Sequence, residues 1–173
     1  MAAGDVQFQE FFASQYGPLR RLGFWLTGDW AQAEELAQEA LVRTWWRWPV
    51  VRRHHRPEDY ARKVLVNRHR SLLRRALVET RHASRLRPGP PARVADAEDA
   101  LVLRAALGRL PARQRAVVVL RYQEDLSEAE VARLLRLPVG TVKSTASRAL
   151  ARLREELGAG TGELAHRHGE QRR

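Results

Sequence analysis

Two groups of hydroxyl, amide and cationic side chains recur at helical spacing. Thr141, Lys143, Ser144, Ser147 and Arg148, with Arg152 one turn beyond, share one side of a segment. Its other side carries Val142, Ala146, Ala149, Leu150, Leu153 and Leu157 at steps of three and four. At a helix amino terminus such side chains can reach base edges in a major groove while amides and cations hold phosphates. Lys63, Asn67, Arg70 and Arg74 form the second group, within about 60° of one another on a helix turning about 100° per residue. Arg62, Arg68 and Arg75 widen this basic surface, and Tyr60 and Trp46 stand near it. Cations for phosphates and π faces for unstacked bases are what a nucleic-acid strand requires. Both groups also fit blander readings: a bundled helical hairpin with its Ser and Thr as caps, and a solvated arginine-rich face.

The elements that must position these side chains are helical. Pro111 suits a first turn and precedes a buried helix over 112–122 with the run Val117, Val118, Val119, Leu120. Ser127 and Glu130 have the spacing of a capping box, so a helix starts there. It stops before Leu137-Pro138-Val139-Gly140, a break that allows only a sharp turn into the helix of about 140–157. A turn of this kind favours glycine with positive φ, so Arg136 costs on the order of 1 kcal/mol there, some of it returned by touching a phosphate. Two helices joined this way, with small Ala132 permitting close approach, describe a helix-turn-helix.

Towards the amino terminus, Phe11, Phe12, Tyr16, Leu19, Leu22 and Leu26 recur at helical spacing up to Thr27-Gly28-Asp29. Asp29 can cap a second helix that buries Ala33, Leu36, Ala37, Ala40, Leu41, Thr44, Trp45 and Trp48. The other face of that helix shows Glu35, Gln38, Glu39, Val42 and Trp46, an acidic start followed by an exposed tryptophan. That surface suits a protein partner. Alternatively, its carboxylates only complement the helix dipole. A basic loop over 50–56 leads to Pro57-Glu58-Asp59, which opens a helix reaching about Leu77.

Composition agrees with a polyanion-binding chain. The 173 residues carry a net charge of +11, and every cation except Lys63 and Lys143 is an arginine. The length allows one medium or two small domains and excludes a large multidomain enzyme. The absence of cysteine removes disulfides, thiolate zinc sites and cysteine nucleophiles. His54, His55, His69, His82, His166 and His168 lack metal-ligand spacing and read as surface residues. No phosphate-binding glycine loop or nucleophile elbow occurs, so neither enzymatic activity, metal nor cofactor is expected. No apolar run approaches the roughly 18 residues of a membrane span, and the amino terminus lacks signal-peptide character, so a soluble, cytoplasmic protein is expected.

The expected fold is all-α, with two small helical domains over 5–77 and 98–157. A flexible Pro/Arg-rich linker over 78–97 contains Arg87-Pro88-Gly89-Pro90-Pro91. The tail over 158–173, opening Gly-Ala-Gly-Thr-Gly, is expected to be disordered.

Taken in order, several motifs resemble the extracytoplasmic-function (ECF) sigma factors of bacterial RNA polymerase, in style the SigE-like subgroup. They are Thr27-Gly28-Asp29, Ala33-Glu34-Glu35-Leu36-Ala37-Gln38-Glu39-Ala40-Leu41-Val42-Arg43-Thr44-Trp45, and Val64-Leu65-Val66-Asn67 within 60–75. Further along come Leu110-Pro111-Ala112-Arg113-Gln114-Arg115, Leu120-Arg121-Tyr122, Glu124-Asp125-Leu126-Ser127 and Gly140-Thr141-Val142-Lys143-Ser144. The likeness spans roughly 5–157. It implies a non-catalytic factor for transcription initiation that docks on core polymerase, recognises promoter DNA and assists its melting. Residues 5–77 would be region 2 and 98–157 region 4.

By this resemblance Glu35, Gln38, Glu39, Val42 and Trp46 meet the polymerase clamp, and Tyr60, Lys63, Asn67, Arg68, Arg70 and Arg74 meet the minus-10 element. Arg136, Thr141, Lys143, Ser144, Ser147, Arg148 and Arg152 meet the minus-35 element, and region 4 also touches the polymerase flap. An anti-sigma factor is a further implied partner. The chain departs from the family in having Arg136 where glycine is usual and arginines at 81, 85, 87 and 93 of the linker. Two other classes also fit the helix-turn-helix: a self-sufficient regulator with a dimerising or ligand-binding amino-terminal domain, and an RNA-binding helical protein.

Overall fold

The computed structural model describes residues 3–53, 56–79 and 98–170, and among these every regular element is helical. The chain divides into two compact units, Met1–Ala92 and Arg93–Arg173. Residues 80–97, most of the expected linker, and His54, His55 and His82 lie outside the described residues.

In the first unit, α1 (Ala3–Thr27), α2 (Trp30–Trp46) and α4 (Pro57–Glu79) pack around a shared core. Leu22 and Leu26 of α1, Leu36 and Leu41 of α2 and Leu65 and Val66 of α4 are buried in it. With Leu19 on α1, Ala33, Ala37 and Ala40 on α2, and Ala61 and His69 on α4, they complete the steps of three and four that place one side of a helix inward. Gly28 ends α1 in the left-handed region at φ 76°. Asp29 then caps α2, its carboxylate accepting from the Gln32 amide at 3.0 Å. The helices α1 and α2 approach until backbone meets backbone: a Cβ on Gly23 would stand 2.9 Å from the Cα of Ala33.

Three expectations need correction in this unit, those for Trp45, for the basic loop and for His69. Trp45 is 41% exposed, not buried with the α2 core. Thr44 takes the inward position, its hydroxyl donating to the Ala40 carbonyl at 2.7 Å, while the Trp45 ring lies against Phe8 at 4.7 Å with its outer side in water. Phe12 is also exposed, stacked on Tyr16 at 5.6 Å. The expected basic loop begins as a short helix, α3 (Trp48–Val51), because Trp48 and Val51 are an apolar pair three residues apart and Pro49 is compatible with a first turn. The Trp48 indole packs on Phe8 and Phe11 and donates to the Gly4 carbonyl at 3.1 Å. His69, expected at the surface, is buried, in line with Ala61 and Leu65 on the inner side of α4.

The second unit comprises α5 (Glu98–Arg109), α6 (Ala112–Val118), a π-helical turn over Val119–Gln123, α7 (Glu128–Leu135) and α8 (Val139–Glu170). Val117, Val119 and Leu120 are buried, and Val131, Ala132, Val142, Ala149 and Leu153 close the core around them. The capping box of α7 is complete: the Glu130 amide donates to Ser127 Oγ at 3.2 Å, and the Ser127 amide donates to Glu130 Oε2 at 2.8 Å. Arg136 ends α7 at φ 54°, ψ 54°, the left-handed conformation its position demanded. The tail is corrected too: α8 runs on to Glu170. A helix already nucleated by packed turns needs no new nucleus to extend, so only the glycines weigh against its continuation.

Candidate functional site

The turn after Arg136 separates α7 from α8, and Val139 and Gly140 leave the start of α8 open to solvent. The amide of Thr141 donates to the Pro138 carbonyl at 2.9 Å, closing the first turn. From there Val142, Thr145, Ala146, Ala149 and Leu153 face inward and are buried. Lys143, Ser144, Ser147, Arg148 and Arg152 are all exposed, with Thr141 half-buried beside them. The structure therefore brings together the residues expected of a recognition helix.

Local bonds organise this face. Ser144 Oγ donates to the Thr141 carbonyl at 3.2 Å, and Arg148 Nε donates to the Ser144 carbonyl at 3.1 Å. The Arg148 guanidinium is thereby laid along the helix towards its amino terminus, where the dipole already favours an anion. None of Arg136, Lys143, Arg148 and Arg152 is in an ion pair among the described residues. Arg115 of α6 is instead drawn inward, where desolvation by burial pushes its guanidinium below the usual arginine pKa. Arg121, in the π-helical turn, donates to the Leu126 carbonyl and so ties that turn to the loop before α7.

The cationic face of α4 is built differently. Lys63 and Arg74 are exposed, and Tyr60, Asn67 and Arg70 are half-buried. Arg62 pairs with Asp59 of its own helix at 2.8 Å, and Asp59 is 3.7 Å from Arg56. Arg68 is not brought together with the Lys63 stripe. It lies about 100° round the helix from Asn67, and its Nε stands 2.6 Å from Glu39 Oε2 of α2. Sequence reasoning missed this ion pair because nothing local links the partners; only the packing of α2 on α4 does so.

The outer side of α2 presents Glu35, Gln38, Glu39, Val42 and Trp46 as one stripe, with Trp46 75% exposed. Glu39 differs from its neighbours in being half-buried and engaged by cations, as Arg43 Nη2 lies 2.6 Å from its Oε1. Among the described residues no cluster of three or more His, Asp or Glu side chains is placed to hold a metal, and no helix is long and apolar enough to cross a membrane.

Residues 11–77 match the family described as Sigma-70 region 2, and residues 100–153 match the family described as Sigma-70, region 4. The RNA polymerase sigma-E factor of Streptomyces antibioticus is 39% identical over 162 residues, covering 91% of this chain and 88% of its own. The ECF RNA polymerase sigma factor SigL of Mycobacterium tuberculosis is 36% identical over 166 residues, covering 91% and 94%. Among solved structures, the sigma factor RpoE in complex with the anti-sigma factor NepR from Bartonella quintana has a TM-score of 0.71 at 23% identity, over 88% of this chain and 97% of its own. CnrH in complex with the cytosolic domain of CnrY has a TM-score of 0.59 at 20% identity, over 90% of each chain. These two structures share the helical fold.

Proposed function

The chain belongs to the ECF sigma factors of bacterial RNA polymerase, which direct promoter-specific initiation, and from that premise we propose how its surfaces divide the work. The start of α8, with Arg136, Thr141, Lys143, Ser144, Ser147, Arg148 and Arg152, reads the minus-35 element as duplex. Side chains reach base edges in the major groove, and the helix terminus holds a phosphate. The α4 face, with Tyr60, Lys63, Asn67, Arg68, Arg70 and Arg74, captures the opened minus-10 strand. The few kcal/mol of unpairing and unstacking are offset there by phosphate contacts and stacking.

The α2 stripe of Glu35, Gln38, Glu39, Val42 and Trp46 docks on core polymerase. An exposed tryptophan within a polar surround is the composition of a protein-binding hot spot. Each DNA face alone offers few contacts, so tethering both to polymerase raises their effective concentration on one promoter. The chain itself performs no catalysis and works in the cytoplasm with its polymerase. An anti-sigma protein is a further partner, by analogy with the neighbour solved with NepR.

The observation that carries this reading is the α8 face, where hydroxyls and exposed cations stand opposite a buried apolar side. Run-off transcription on the promoter upstream of its own gene tests it, using purified core polymerase with and without the chain. The expected result is a promoter-specific transcript only when the chain is added. A folded chain that yields none, or that binds a palindromic duplex tightly without core, would overturn the reading in favour of a self-sufficient regulator.

A further inference from the structure

Glu39 stands in the stripe assigned to polymerase, yet its carboxylate is already occupied. One oxygen is 2.6 Å from Arg43 of the same helix, and the other is 2.6 Å from Arg68 of α4. The side chains of Glu39 and Arg68 are 29% and 28% exposed, so their pairing is screened less than a fully solvated pair. Arg43 is a neighbour one turn along, whereas Arg68 belongs to the helix assigned to the minus-10 strand. The Arg68 Nε is buried and stands by that carboxylate as an ion pair without an aligned hydrogen bond, so this edge of the guanidinium is closed to a phosphate while the pair holds.

We propose that Glu39 is a positioning residue that holds Arg68 away from nucleic acid in the free chain, and that docking of polymerase on α2 releases it. This rests on the assignment of α2 to polymerase and α4 to the minus-10 strand. The exchange conserves pairing: a donor from polymerase takes over Glu39, and a backbone phosphate takes over Arg68. Free sigma is thereby a poorer binder of single strands than its charge implies, and the missing affinity appears on assembly. Linkage makes the effect reciprocal, because a strand that captures Arg68 leaves Glu39 open to polymerase.

The test uses the full chain without polymerase and a fluorescent single-stranded DNA carrying the non-template minus-10 sequence of its own promoter. Glu39→Gln keeps the shape of the side chain and removes its charge. It is expected to bind the strand about two to five times tighter at low salt, the scale of one partly exposed ion pair. Its dependence on log salt should steepen by about 0.7, the signature of one added phosphate contact on single-stranded DNA. Adding Arg68→Gln to Glu39→Gln should abolish the gain, whereas adding Arg43→Gln should leave it.

Glu39→Asp, which keeps the charge but shortens the reach, should move affinity in the same direction and serves if the Gln variant melts early. A merely structural role for Glu39 would lower affinity or leave it unchanged. The proposal is overturned if neither variant tightens binding, or if the gain survives the loss of Arg68. Run-off transcription separates the two levels. A wild-type chain that initiates while Glu39→Gln binds no tighter refutes only this release, whereas a wild-type chain that fails to initiate refutes the surface assignments themselves.

Discussion

The two cationic faces of this molecule differ in how their charge is spent. At the start of α8, Arg136, Lys143, Arg148 and Arg152 bridge to no carboxylate among the described residues, and Arg148 is laid along the helix by the Ser144 carbonyl. On α4, Arg62 is paired with Asp59, and Arg68 is paired with Glu39 across to α2. The first face is ready-made: a ligand gains its contacts without breaking an ion pair among the described residues. The second is partly neutralised from within, so a ligand must exchange one pairing for another and gains only the difference. In the proposed division of labour this suits the two targets. The minus-35 element is duplex before and after binding, whereas the minus-10 strand becomes available only once polymerase is engaged.

The largest effect should come from the ready-made face. Replacing Lys143 and Arg148 together by Ala should lower minus-35-dependent initiation by on the order of a hundredfold, since each good base contact is worth about 1–3 kcal/mol. Run-off transcription on promoters with intact and scrambled minus-35 elements measures it, and equal losses on both would break the comparison. On the compensated face, replacing Lys63 and Arg74 together by Ala should weaken capture of the minus-10 strand only a few-fold. The salt dependence should flatten by about 0.7 for each cation removed. Fluorescence titration of the single strand over a range of salt checks this, and an unchanged slope would remove both residues from the phosphate path.

The smallest effect concerns the turn. Arg136→Gly should relieve about 1 kcal/mol of left-handed strain. That raises the melting temperature of the second unit by roughly 4–8 °C, while the salt slope on duplex DNA falls by about 0.9 if one phosphate contact is lost. A variant that is more stable and binds DNA as before would show that Arg136 contributes strain without contact.

What sequence revealed follows from how local each signal is. The α7–α8 unit was legible almost throughout, because a capping box, a left-handed C-terminal residue and an alternating apolar face are all written within a few residues of one another. His69 follows Ala61 and Leu65 at steps of four, so its spacing places it inside, although its residue type alone reads as a surface group. Trp45 is the opposite case: it borders the inward arc of α2, and only the arrival of Phe8 from α1 decides how its ring divides between core and water. The Glu39–Arg68 pair was invisible because the partners come from helices joined by a turn and a loop, and the rotation of one against the other is a tertiary property.

The bare contact at Gly23 has a practical consequence for genetics. Even a methyl group there must push α1 off Ala33, and α2 carries on its far side the stripe proposed to dock on polymerase. A selection for mutants that no longer associate with polymerase would therefore collect changes at a position that never meets it. Trimming Ala33 to glycine should not suppress them, because the added Cβ meets the Ala33 backbone itself, the Cα at 2.9 Å and the carbonyl oxygen at 3.0 Å.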